Sequence, residues 1–286
     1  MNTLLVPVDF SENSLRALHY AIDLAAQSDT EVVVMHSFEK KSIVPGFNSG
    51  KPLESKTVAQ QKLDSLLANM DTRQVPVQAI VREGGAVGEI NKAIEEFAVT
   101  LVVMGTGGAK NFKEKVFGTT TEAIAKLGLC PVLAIPEGAT IGHIQNIVYA
   151  ADFENGDQVT AMQLLQLKEL MNATLTFLHV KSESQPDYID DEYIKQSLVK
   201  QFPEAELNFV ELQNKDVAEG ITKYIQENQA SLLAFTILHR EFWDKLFHSS
   251  VTSRLLHNLK LPMLALPENG NLLNLRKPSN SETGRV

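Results

Sequence analysis

A single cysteine, Cys130, stands in 286 residues, which excludes an intrachain disulfide and fits a reducing compartment. It precedes Pro131, with no histidine or carboxylate at catalytic spacing, so a thiol nucleophile has no partner. Long apolar runs are also missing: no segment reaches the ~18 residues that a membrane helix requires. No basic amino-terminal segment leads into an apolar stretch, and the chain is expected to enter a strand by about residue 3 without a secretion signal. Positive charge is scarce. Lys and Arg total 26 against 35 Asp and Glu, for a formal charge of −9 and a pI near 5.3. That balance argues against nucleic acid or an anionic membrane as partner. The Gly-x4-Gly-Lys-Ser/Thr loop, a Gly-x-Gly-x-x-Gly after the first strand and the Gly-x-Ser-x-Gly elbow are all absent. His36 and His179 close apolar segments without a second ligand at metal spacing, so both are expected to be core residues. These absences predict a cytoplasmic protein with no membrane segment, no metal centre and no catalytic residues.

Against them stands one pattern. Leu101-Val102-Val103-Met104 runs into Gly105, then Gly108, Gly118 and Thr119, in the order Gly-x2-Gly-x9-Gly-Thr. Four apolar residues ending at a glycine predict a central parallel strand leading into a loop. Glycine permits positive φ and a close approach to the backbone. Gly118-Thr119 opens a predicted helix, whose free N–H groups and dipole suit an anion. The plain alternative is a glycine-bearing loop followed by an ordinary capping box, Thr119 to Glu122, with Thr119 as the cap. Lys110, Lys113 and Lys115 lie on the intervening loop with Glu114 and read as a solvated face.

The remainder of residues 1–137 alternates strand and helix. Strands are predicted near 3–8, 31–37, 76–82, 100–104 and 132–136, and helices near 12–27, 57–70, 86–98 and 119–128. The first helix shows Leu15, Leu18, Ala21, Ile22 and Ala25 on one face, with Ser11 as N-cap. Such alternation predicts an open parallel sheet covered on both faces, with ligands at the carboxyl ends of the strands. Asp9, His36-Ser37 and Gly105 all fall at such ends.

Several stretches closely resemble the universal stress protein family. They are Leu4-Leu5-Val6-Pro7-Val8-Asp9-Phe10-Ser11, Val32 to His36, Val102 to Gly108, Val116 to Glu122 and Cys130 to Ile135. The glycine spacing matches that of the family's nucleotide-binding members in full. The resemblance implies an adenine nucleotide α-hydrolase-like, Rossmann-like fold and a bound ATP, AMP or ADP, with magnesium arriving on the nucleotide. It implies that Asp9 contacts the adenosine part and that the main chain at Ser37 reads the adenine edge. Gly105 and Gly108 would flank the ribose and inner phosphates, and Gly118, Thr119 and Thr120 the outer ones. Pro7, Val8 and Met104 complete the implied nucleotide-binding set. The expected function is a nucleotide-binding stress-response protein with a regulatory or partner-binding role. The alternatives are a nucleotide-free scaffold of the same fold and a very slow ATPase.

The pattern then recurs. Ile147 to Phe153 repeats the Asp9-Phe10 start and Thr174 to Val180 repeats the His36 strand, both offset by 143 (179 − 36). Leu261 to Glu268 repeats Cys130 to Glu137 at an offset of 131 (262 − 131), so the first copy carries extra residues, with Lys40 to Lys56 as the expected long loop. Two α/β domains are predicted, 1–140 and 144–270, with 271–286 a polar, disordered tail. At the 131 offset the motif residues become Thr236, His239, Ser249 and Ser250, with Phe242, Trp243 and Phe247 between them. The glycines are gone, so the second copy is read as a structural or partner-binding unit rather than a second nucleotide site. His239 and His248 within it are read as structural. Val132 to Ile135 and Met263 to Leu266 end their units as short apolar strands, each needing an edge partner. The resemblance implies that they pair, making an intrachain pseudo-dimer; homo-oligomers are a further partner that the fold class admits.

Overall fold

The computed structural model describes residues 2–39, 55–106, 118–139, 143–151, 158–182, 191–237 and 260–267. Most of the expected loop at 40–56, the expected tail, Gly108 and the second-copy positions His239, Phe242, Trp243, Phe247, His248, Ser249 and Ser250 lie outside these residues.

The first half runs β1 (Asn2–Pro7), α1 (Glu12–Ala25), β2 (Thr30–Phe38), α2 (Lys56–Ala68), β3 (Val77–Glu83), α3 (Ala86–Glu96), β4 (Leu101–Gly105), α4 (Thr119–Leu127) and β5 (Val132–Ile135). The second runs β6 (Asn146–Ala150), α5 (Gln158–Met171), β7 (Thr174–Lys181), α6 (Asp191–Gln201), β8 (Asn208–Gln213), α7 (Val217–Glu227), β9 (Leu232–Thr236) and β10 (Met263–Leu266). The offset is 143 at the ends of β2 and β7 (181 − 38) and 131 at the starts of β3 and β8 (208 − 77). The extra residues of the first half therefore fall between β2 and β3.

The ten strands form one sheet in the order β3-β2-β1-β4-β5-β10-β9-β6-β7-β8. Among the described residues every pairing is parallel except β5 with β10, which run antiparallel with Leu264 opposite Leu133. The inner strands β1, β4, β5, β9 and β10 read as near-continuous apolar runs because both faces are covered, whereas the edge strands β3 and β8 carry exposed polar residues. Leu4 and Val6 point into one core layer with Ala17, Leu18 and Ala21 of α1 and Leu63 of α2, while Leu5 joins Ile90 and Ile94 of α3 in the other. Both layers continue across the β5–β10 seam. Leu133 and Leu264 lie in the first, and Val132, Ala134, Met263 and Ala265 in the second. All six are fully buried or nearly so.

Local signals set the helix starts. Ser11 accepts from the Ser14 N–H at the start of α1, Ser55 from the Val58 N–H at α2, and Asp216 from the Glu219 N–H at α7. At α4 the helix starts at residue 119 as expected, but the alternative that makes Thr119 its cap is corrected. The N-cap is Gly118, in extended conformation at φ −68° and ψ 157°, and Thr119 is the first helical residue. The capping box does not form; the Glu122 carboxylate accepts from Lys126 at 2.6 Å instead. The helix end follows the usual left-handed exit, with Gly128 at φ 65°.

Candidate functional site

The carboxyl ends of β1, β2 and β4 meet the amino terminus of α1. The Val8 N–H extends the β1–β2 ladder by one bond, to the Met35 carbonyl at 2.8 Å. The Val8 carbonyl oxygen is then met by the His36 Nδ1 at 2.7 Å. A carbonyl only accepts, so Nδ1 carries the proton. The chain turns at Phe10, whose φ of 63° is unusual for an aromatic residue. Its ring lies against the His36 imidazole, centroids 4.6 Å apart, and the Lys62 ammonium sits over the Phe10 ring, 5.7 Å from its centroid.

Asp9 stands at this turn, exposed. Its N–H donates to the Ser14 hydroxyl at 3.3 Å and its carboxylate accepts from the Ser11 N–H at 3.0 Å. Partial burial works to raise the Asp9 pKa, but hydrogen bonds with Ser11 and Ser14 outweigh it and hold the carboxyl below its ordinary value. The group is a settled carboxylate at neutral pH. Pro7 and Ser37 are half-buried nearby, with Ser37 paired in register to Arg82. Met104 is buried in the opposite layer, beneath α3 and α4.

The two described glycines of the motif have different reasons to be glycine. A Cβ on Gly105 would lie 2.2 Å from the Asn13 carbonyl oxygen and 2.9 Å from the Ser14 nitrogen. The first turn of α1 thus rests directly on the end of β4, and no side chain fits between. Gly118 is the opposite case: among the described residues its Cβ would meet only the Thr121 hydroxyl, at 3.9 Å, and its φ is ordinary. None of the described residues requires glycine there. No side chain caps α4, so its first N–H groups are not claimed by a capping residue. Thr119 is exposed and Thr120 half-buried at this end.

Sequence reasoning placed Asp9, Ser37 and Gly105 at strand ends, and there the structure has them. Asp9 and Gly105 share Ser14 as a neighbour. Gly118, Thr119 and Thr120 open a helix on the other face, and the loop joining it to β4 lies outside the described residues, with Gly108. It missed Phe10, Asn13 and Ser14, which build the turn; the Ser11-x-x-Ser14 spacing was the available signal. Among the described residues no group of three or more His, Cys, Asp or Glu could hold a metal.

The second half repeats part of this frame. The Ala151 N–H donates to the Leu178 carbonyl at 2.9 Å, and His179 Nδ1 lies 2.8 Å from the Ala151 carbonyl. These are the Val8, Met35 and His36 contacts moved by 143 positions. Thr236 stands where the first half has Gly105, and its hydroxyl is hydrogen-bonded to the buried Tyr149 hydroxyl at 2.7 Å. No helix among the described residues is long and apolar enough to cross a membrane.

Known proteins resemble the chain at both scales. The universal stress protein YxiE of Bacillus subtilis is 25% identical over 145 residues, covering 47% of this chain and 98% of that protein. A universal stress protein of Methanocaldococcus jannaschii is 27% identical over 150 residues, covering 46% and 93%. These relatives are about as long as one half. Over the whole length, the crystal structure of a universal stress protein from Archaeoglobus fulgidus superposes with a TM-score of 0.68 at 18% identity, covering 94% of this chain and 99% of that one. The model of the universal stress protein family matches twice, at residues 1–136 and 143–267. With its strand order, its repeated histidine contact and this double match, the chain belongs to the universal stress protein family as a tandem member.

Proposed function

We propose that the chain binds one adenine nucleotide, in its first half, without turning it over, and that the bound nucleotide alters how the protein meets a partner. The observation that carries this reading is Gly118. A position that the described residues leave free to bear a side chain is glycine at the start of α4, where an incoming phosphate would meet the N–H groups. Thr119 and Thr120 hydroxyls would add donors, and Asp9, fixed as a carboxylate, would accept from a ribose hydroxyl. Pro7, Val8, Ser37, Met104, Gly105 and Gly108 would line the rest of the site. Magnesium would be held chiefly by the phosphates it accompanies.

The second half lacks, in its sequence, the glycines that support this reading. Thr236 replaces Gly105, and its hydroxyl is already committed to Tyr149. The proposed domains are 1–140 and 144–270, docked through β5 and β10, with 271–286 outside both.

Calorimetric titration of the whole chain with ATP tests the reading. One saturable site is expected, lost in Gly118→Val, with no phosphate released on prolonged incubation. Two sites would sink the asymmetry. No heat and no thermal shift would leave a nucleotide-free scaffold, and steady phosphate release would make the protein an ATPase.

A further inference from the structure

The buried histidines of the two halves make the same bond. His36 is 6% exposed and His179 5% exposed. Each directs Nδ1 at the carbonyl of the residue that follows the first strand of its half, at 2.7 Å and 2.8 Å. In the first half the carbonyl belongs to Val8, directly before Asp9. Phe10, one residue beyond Asp9, lays its ring on the same imidazole. His36 therefore grips the β1–α1 turn on both sides of Asp9, through the Val8 carbonyl and the Phe10 ring. Ser14 holds the Asp9 N–H from a third direction, and Ser14 is also the neighbour that Gly105 admits. A Phe at φ 63° needs surrounding contacts to keep it there.

We propose that His36 is a positioning residue that fixes the Val8–Phe10 turn and so sets the aim of Asp9 toward a bound nucleotide. The inference rests on the nucleotide reading above. It goes beyond it by assigning a binding role to a buried residue that does not itself touch the ligand. His179 makes the equivalent bond beside a half whose glycine position is filled by Thr236. The duplication thus supplies an internal control: the same bond, with the same burial, on a half proposed to hold no ligand.

The test uses the full chain and ATP as the probe. His36→Leu and His179→Leu each remove one donor at similar volume, and both are expected to lower the melting temperature by a similar amount. Their effects on affinity should separate. His179→Leu is expected to leave the Kd within about twofold of wild type, and His36→Leu to weaken it by on the order of tenfold. His36→Asn, whose Nδ2 takes the place of Nδ1, should restore most of the loss. If His36→Leu does not fold, His36→Gln, with its donor one bond further out, carries the same comparison and is expected to bind more weakly than His36→Asn. Equal Kd values for the His36 and His179 variants, or a His36→Asn no better than Leu or Gln, would overturn the positioning role while leaving the nucleotide reading intact. A wild-type chain with no saturable ATP binding would remove both.

Discussion

Gly105 and Gly118 belong to one sequence pattern, and only their neighbours tell them apart. Gly105→Ala is expected to cost about 1–3 kcal/mol, because the new Cβ drives into the Asn13 backbone rather than a movable side chain. Gly118→Ala should stay within about 0.5 kcal/mol of wild type in thermal melting, since its Cβ enters open space. Gly118→Val should likewise melt close to wild type, yet lose the ATP-induced rise in melting temperature that ligand binding to the native state produces. An unchanged ATP shift in Gly118→Val would show that phosphate does not approach there. The spacing of these glycines was legible in the sequence; their separate reasons were not. One depends on a helix turn some ninety positions earlier, which only the folded chain brings to β4. Cys130 carries a simpler expectation. It is buried, and desolvation pushes its thiol pKa well up, so alkylating reagents at neutral pH should label it only on unfolding. Rapid labelling of the native chain would contradict that burial.

Among elements, α3 and α4 both start on a glycine, Gly85 and Gly118, that supplies no side-chain cap; a Cβ on Gly85 would come 3.1 Å from the Glu39 carboxylate, whereas one on Gly118 has room among the described residues. Ser11, Ser55 and Asp216 cap their helices with side chains, whereas α4 starts on a glycine that caps nothing. Gly118→Asp should therefore add a few tenths of a kcal/mol, about 0.5, through the cap bond and the helix dipole. The same carboxylate would repel a phosphate, so stability should rise as ATP binding vanishes. Chemical denaturation alongside calorimetry would read both; a variant that binds ATP normally would show that the α4 start is only a cap. Asp216→Ala at α7, by contrast, should cost about 1 kcal/mol with no effect on binding. Strand positions were readable because both sheet faces are covered, leaving apolar runs with glycine or proline at their ends. The start of α4 at residue 119 was legible, but not which residue caps it, since Thr119 and Gly118 can each precede a helix and only φ and ψ decide between them. The Tyr149–Thr236 bond joins residues 87 apart in sequence, and no periodicity announces it.

In the whole molecule, Leu133 and Leu264 face each other across the only antiparallel pairing among the described strands. Each also belongs to the core beside it, so either Leu→Ala change should cost roughly 2–5 kcal/mol. The double variant should cost less than the sum by at least about 0.5 kcal/mol, because the two side chains are direct neighbours. Strict additivity in denaturant melts would mean that the halves do not rely on this pair. Carrying both halves on one chain keeps each permanently at the other's side, a concentration no dilution can lower. The reversal at the seam has one more consequence. Parallel strands share a direction within each half, so the carboxyl edge holding Asp9 and Gly105 lies at one end of the sheet, and the edge holding Ala151 and Thr236 at the other. Two identical subunits joined this way would present the same face at both ends. This chain does not: it has a head and a tail, and anything that docks on it meets an arrow rather than a mirror.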